Sequence, residues 1–208
     1  MDSNYWDNIY RSKSEREVSW FQECPEPSLK LIAELGLEPD DSIIDIGGGE
    51  SRLVDNLLKN GFRNISVLDI SATAIDKTKT RLGNSADFVK FIASDIVKFN
   101  PMEQYKLWHD RAAFHFLTKI EDIENYLVIA ARAVSPGGYL IVSTFSKNGP
   151  EKCSGLPITQ YSDVDLKGIF SRHFSNIKCL DDVHSTPWGV QQSFVYCGFS
   201  KLRGLIEP

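Results

Sequence analysis

The sequence predicts an α/β fold, doubly wound around a mostly parallel sheet. Three observations carry that expectation. Short apolar runs alternate with helical patterns from about residue 30 onward. A glycine cluster, Gly47-Gly48-Gly49, directly follows the first buried run. The last two runs have no helix between them.

Taken in order, residues 29–35 read as a helix broken by Gly36 and Pro39. Residues 42–46 form a buried strand that runs into the glycine turn. Leu53, Val54, Leu57 and Leu58 follow at helical spacing, and Gly61 closes that helix. The cycle then repeats: 65–68 is a strand, Ser71 caps a helix to about Leu82, and 88–93 is a third strand. Leu107-Trp108 is the core of a fourth. Ile123, Tyr126, Leu127, Ala130, Ala131 and Val134 make one apolar helical stripe. Pro136-Gly137-Gly138 ends it, and 139–145 is a fifth strand. Strands separated by helices imply right-handed crossovers and helices on both sheet faces. After a helix at 162–170, residues 176–180 and 194–199 are joined by a loop containing Pro187 and Gly189, so they are expected to pair antiparallel.

At 208 residues, 42% of them apolar and 11% aromatic, the chain is one domain's worth with enough material for a core. A formal charge of -5 argues against a broad nucleic-acid footprint. The basic group Lys77, Lys79 and Arg81 is spaced as a solvated helix face. Residues 1–10 lack the apolar run of a secretory signal, and the best apolar run, 139–145, is too short to span a membrane. Cys24, Cys153, Cys179 and Cys197 stand far apart with no metal-ligand spacing, so no metal is expected. They read as free thiols of a reducing, cytoplasmic environment.

The first functional signal is Asp45-Ile46-Gly47-Gly48-Gly49-Glu50-Ser51. Glycines at a strand-to-helix turn let backbone approach a ligand, beside the free N–H groups of a helix start. Asp69 ends the next strand, where a carboxylate can accept hydrogen bonds from both hydroxyls of a ribose. Arg52 stands where a dinucleotide fold wants its third glycine, so a pyrophosphate is not expected. Asp95, after the third strand, puts a second acid at the same sheet edge, able to accept from an adenine amino group.

With these residues in view, the chain resembles class I S-adenosylmethionine-dependent methyltransferases from about residue 30 onward, of the small bacterial single-domain type. The resemblance rests on the glycine motif with Asp45, on Asp69 and Asp95, on Pro136-Gly137-Gly138 and on the terminal strand pair. It implies a Rossmann-like seven-stranded sheet with an antiparallel last strand, and S-adenosylmethionine as cofactor. Gly47, Gly48 and Gly49 would line its methionine and ribose part, with Ile70 and Ile96 flanking the adenine. Ser51 departs from the glycine of many relatives. The aromatic leader, Tyr5-Trp6 through Arg11 and then Trp20-Phe21, resembles leaders that fold over the cofactor. It implies a cap over residues 1–28 of a single domain, 1–208, with Trp20 at the cofactor and Arg11 meeting the methionine carboxylate.

Methyl transfer is an in-line displacement, so the protein positions the acceptor and manages its proton. Candidates follow the fourth strand: His109, Asp110 and, one turn on, His115. The long loop from Cys153 to Tyr161 is a candidate lid, and Trp188, Gln191 and Gln192 a candidate wall. The acid-or-Asn, double-proline, aromatic motif of some amino-group methylating relatives is missing, since the sequence has no Pro-Pro pair. Nicotinamide chemistry of the short-chain type needs Tyr-x-x-x-Lys, which none of the seven tyrosines has. The expected acceptor is a small molecule with a thiol, oxygen or amine nucleophile. A protein lysine is the alternative, and a non-catalytic cofactor-binding module a further one.

Overall fold

The structure, a computed structural model, describes residues 2–202. Its sheet has seven strands in the order β3-β2-β1-β4-β5-β9-β8. These are β1 (Ile43–Ile46), β2 (Ile65–Asp69), β3 (Val89–Ala93), β4 (Tyr105–Arg111), β5 (Val134–Phe145), β8 (Phe174–Ser185) and β9 (Gln191–Lys201). A two-stranded ribbon, β6 (Lys152–Cys153) with β7 (Leu156–Pro157), stands apart in the loop after β5. Strands β1 to β5 are mutually parallel; β9 runs antiparallel to β5 and to β8. The predicted fold is the one observed, with the antiparallel strand last in sequence.

Among the described residues six α-helices join and cover these strands: α1 (Ser3–Ser12), α2 (Glu26–Glu34), α3 (Leu53–Lys59), α4 (Ala72–Leu82), α5 (Ile120–Ala133) and α6 (Asp163–Phe170). The period-2 alternation of the strands sorts the core into two layers. Ile44, Ile46, Leu68, Trp108 and Leu140 face α5 and α6, while Ile43, Ile65, Val67, Leu107 and Ile141 face α2 and α3. Ser71 caps α4 as expected, its hydroxyl accepting from Ala74 N at 3.1 Å. Helix α1 lies against α4 and contributes Trp6 and Tyr10 to a third, smaller apolar cluster.

Three expectations are corrected. Pro136-Gly137-Gly138 does not separate α5 from its strand. It is a bulge inside β5, where partners jump from Tyr105↔Val134 to Leu107↔Tyr139 and Gly137 turns with φ +70. The terminal strands are about twice as long as their apolar runs, because exposed residues such as Asp181 and Val183 continue the ladder. That ladder also overturns the reading of four free thiols. Cys179 and Cys197 are directly opposed in register with Cα atoms 4.1 Å apart, and they form a disulfide, leaving Cys24 exposed and Cys153 buried as thiols. Sequence spacing could not reveal a pair that only antiparallel register brings together. Among the described residues, no helix is long and apolar enough to cross a membrane, and no cluster of His, Cys, Asp and Glu could hold a metal.

Candidate active site

The carboxyl ends of β1, β2 and β4 open onto one cavity of about 670 Å³, mouth included. Its floor is strand-end backbone and its walls are largely apolar. Gly47 enters it from β1 with φ +63, a conformation that a side chain resists. A Cβ there would lie 2.7 Å from the Cβ of Ala113, so the turn can pass only as glycine. Gly49 meets the same limit: a Cβ would stand 2.8 Å from Asp69 Oδ2 and 2.9 Å from the Tyr10 hydroxyl.

Asp69 sits at the end of β2, buried, its Oδ1 accepting from Ser71 N at 2.7 Å. Burial, only partly offset by that hydrogen bond and one from the Gly49 backbone, pushes its pKa up to about 7. The Asp45 charge contributes to that rise. Ile70, Ser94 and Ile96 continue the wall beyond it. Asp95 caps the 3-10 turn that carries Ile96, its Oδ1 accepting from Val97 N at 3.2 Å. A buried carboxylate beside a glycine turn, next to two flat isoleucine faces, suits the ribose and adenine of a nucleoside.

The leader forms the roof. Trp6, Tyr10 and Trp20 line the cavity together with Phe116, and Trp6 meets both Trp20 and Phe116 edge-on. Asp7 fastens α1 down by accepting from the Ser71 hydroxyl at 2.6 Å and Thr73 N at 3.0 Å. The Tyr5 hydroxyl donates to the carbonyl of Ser154, so the leader also touches the β6–β7 ribbon. The same ribbon sends Cys153 into the cavity, where burial pushes its thiol up to about 12.

The three residues singled out as catalytic take other positions. His109 is buried between Asp45 Oδ1 at 2.7 Å and Ser28 Oγ at 2.9 Å, on the α2 side of the sheet. Asp110 faces the opposite layer. Its Oδ1 accepts from the backbone N–H groups of Ala113 and Phe114, and its Oδ2 from the Tyr126 hydroxyl. That cap holds Ala112 in a left-handed conformation, φ 69, and so aims the segment after β4 at the cavity. His115 is fully buried beside Phe145, and burial, reinforced by Arg111, pushes its pKa down to about 3. None of the three is among the residues lining the cavity.

Arg11 also lies elsewhere, on the exposed side of α1 with its guanidinium 3.9 Å from Asp7. The arginine that reaches the cavity is Arg111, at the end of β4. The sequence signal for it is a cation closing a strand at the reactive edge, between His109 and His115. Of the candidate wall, Gln192 is buried and Trp188 and Gln191 are exposed at the hairpin tip.

A crevice at the carboxyl edge of a doubly wound sheet, with a glycine turn on one side and a buried acid on the other, is where α/β proteins of this kind bind their ligands. More narrowly, the chain belongs to the methyltransferase domain family, which matches residues 37–181. It is similar to malonyl-[acyl-carrier protein] O-methyltransferase 2 of Ilyobacter polytropus, 32% identical over 125 residues that cover 57% of this chain and 46% of that one. It is also similar to the eEF1A lysine and N-terminal methyltransferase homolog of Drosophila melanogaster, 26% identical over 145 residues, 65% of this chain and 21% of the relative. The chain thus spans less than half the length of these curated relatives. In fold it resembles a structure describing conversion of a disulfide bond into a thioacetal group during echinomycin biosynthesis. That likeness has TM-score 0.78 and 17% identity, covering 98% of this chain and 94% of that one. The N-methyltransferase NodS of Bradyrhizobium japonicum WM9, in complex with S-adenosyl-l-homocysteine, is also similar, with TM-score 0.71, 13% identity and coverage of 96% and 99%.

Proposed function

We propose that this chain is an S-adenosylmethionine-dependent methyltransferase that methylates a small molecule beneath the aromatic roof. The observation that carries the reading is the roof itself. Trp6, Tyr10, Trp20 and Phe116 close over the cavity that the glycine turn and Asp69 open onto. When bound, S-adenosylmethionine supplies a methyl group on a sulfonium, ready for in-line attack. The residues present suit it: Gly47, Gly48 and Gly49 leave room along its methionine and ribose part, and Asp69 faces the ribose hydroxyls. Ile70 and Ile96 flank the adenine, Ile96 on the turn that Asp95 caps.

The chain's own work is then positioning and exclusion of water. In this reading His109, Asp110 and His115 serve the scaffold: two are held in internal hydrogen bonds, and the third is kept neutral by burial. Cys153 is a thiol rather than a thiolate. The nucleophile therefore brings its own available lone pair, as a carboxylate, a thiolate or an unprotonated amine does.

The test is a screen that measures S-adenosylhomocysteine formation against small acids, thiols and amines, and against lysate proteins. Turnover on a small nucleophile supports the reading. The match to a lysine methyltransferase homolog favours protein lysine as the second reading, and turnover confined to lysate proteins would select it.

A further inference from the structure

The sheet order divides the cavity. The glycine turn, Asp69 and Ile96 all belong to the β3-β2-β1 half, which leaves the β4-β5-β9 half for the acceptor. On that half three polar residues lie in one row across the sheet. Arg111 of β4 pairs in register with Ser143 of β5, and Ser143 with Tyr196 of β9, so all three side chains share a face. Ser143 and Tyr196 are 0% exposed.

Arg111 Nη1 is buried without a hydrogen-bond partner, and the buried Ser143 and Tyr196 hydroxyls have only each other and Arg111 close by. The other guanidinium nitrogen, Nη2, donates to the carbonyl of Trp20 at 2.6 Å, which fixes the group under the roof. No carboxylate among the described residues forms an ion pair with it. The groups that feel its charge, His115, Cys153, His184 and Tyr196, belong to the acceptor half and the lid. A half-buried cation with one nitrogen sealed and unpartnered, beside two buried hydroxyls, is costly unless something anionic completes it. A carboxylate in the cavity does so well, accepting from the guanidinium where Arg111 lines it, with Ser143 and Tyr196 behind that guanidinium in the row.

We infer that Arg111, with Ser143 and Tyr196 beneath it, is a carboxylate site, and that the methyl acceptor is a small carboxylic acid held there. The inference rests on the methyltransferase reading above and names its substrate class. The carboxylate is either anchored beside the reacting atom or is itself the nucleophile. In the latter case a carboxylate oxygen forms the new bond to the methyl carbon while the carbon–sulfur bond breaks, giving a methyl ester and neutral S-adenosylhomocysteine with no proton to remove. That balance agrees with a cavity whose lining includes none of the three candidate bases.

Arg111 also borders the glycine turn, so the cofactor's own carboxylate is the other source of the same chemistry. The experiment separates the two. Calorimetry on the full chain measures S-adenosylhomocysteine and 5′-methylthioadenosine, which lacks the amino-acid tail. Thermal shift with S-adenosylhomocysteine bound then compares benzoate and hexanoate with their amides, for the parent and for Arg111→Gln, Tyr196→Phe and Ser143→Ala. The acids, not the amides, should stabilise the parent. Arg111→Gln should weaken the acids by roughly tenfold or more, and the hydroxyl variants, which keep the fold if arginine replacement does not, by roughly threefold or more. Equal response to acids and amides in the parent overturns the proposal. So does a selective loss of S-adenosylhomocysteine over 5′-methylthioadenosine in Arg111→Gln, which would give the guanidinium to the cofactor's tail. Failure of the parent to bind S-adenosylhomocysteine at all would instead overturn the methyltransferase reading.

Discussion

Nδ1 of His109 lies 2.7 Å from Oδ1 of Asp45, joining β4 to β1 inside the sheet where neither side chain meets solvent. The imidazole reaches on to Ser28, so one ring ties two strands to α2. Asp45 therefore supports the glycine turn from below and, with Gly47 and Gly48, lines a small pocket beside it. A Cβ on Gly48 would stand 2.7 Å from Asp45 Oδ2.

Replacing His109 by Ala should leave the buried Asp45 carboxylate without its donor and cost about 2–4 kcal/mol of stability, read by urea unfolding. Turnover per folded molecule should stay within a few-fold of the parent. A loss of a hundredfold or more with unchanged stability would restore His109 as a catalytic base.

Asp69 should make both folding and binding depend on pH. Its folded pKa of about 7 lies above the ordinary carboxyl value of about 4, so the folded state holds this proton over that window while the unfolded chain has lost it. The stability contribution is full below about pH 4 and is lost as pH rises through about 7; Asp110, raised to about 6, adds in the same direction. Asp69→Asn should flatten the slope between pH 5 and 7. Ribose hydroxyls favour the ionised carboxylate, so S-adenosylhomocysteine binding near pH 6.5 should release protons. Calorimetry in two buffers of different ionisation enthalpy detects them.

His115 should contribute no inflection to the pH–rate profile between pH 5 and 8, because its pKa is pushed down to about 3. The profile of His115→Gln should keep the parent's shape. An inflection near pH 6.5 that disappears in this variant would contradict the assignment.

Gly36 and Gly47 share one backbone conformation, φ +62 and +63, but a Cβ on Gly36 meets nothing within 4 Å while one on Gly47 meets Ala113 at 2.7 Å. Alanine at 36 should cost only the strain, about 1 kcal/mol, and leave S-adenosylhomocysteine affinity alone. At position 47 it should cost more and weaken binding about tenfold or more. Equal effects at both positions would show that Gly47 is needed for its φ alone.

The strand order, the glycine turn and the Ser71 cap were legible because each follows from local pattern: period-2 runs, φ-permissive residues, a capping hydroxyl. That Gly47, Asp69, Ile70 and Ile96 meet at one cavity was legible for the same reason, since they sit at or just past strand ends. The catalytic candidates were not. Which way His109 and Asp110 point depends on strand parity, and whether His115 meets solvent depends on Phe145 and the loop behind it. The row of Arg111 is not legible in the sequence, because Ser143 and Tyr196 lie far along the chain and converge on it only through the sheet register. Arg11 and Arg111 differ in the same way: helix periodicity turns the first outward, while the second closes a buried strand.

Asp7, Ser71 and Asp69 form a single chain of hydrogen bonds, from the covering helix through the cap of α4 to the acid at the cavity floor. Lifting the leader must break a bond to the residue that Asp69 itself holds, so seating of the cover should be coupled to occupancy at the floor. Ligand residence time should therefore follow the dwell time of residues 3–20 in their seated position, and protease nicking there would serve as a clock for product escape.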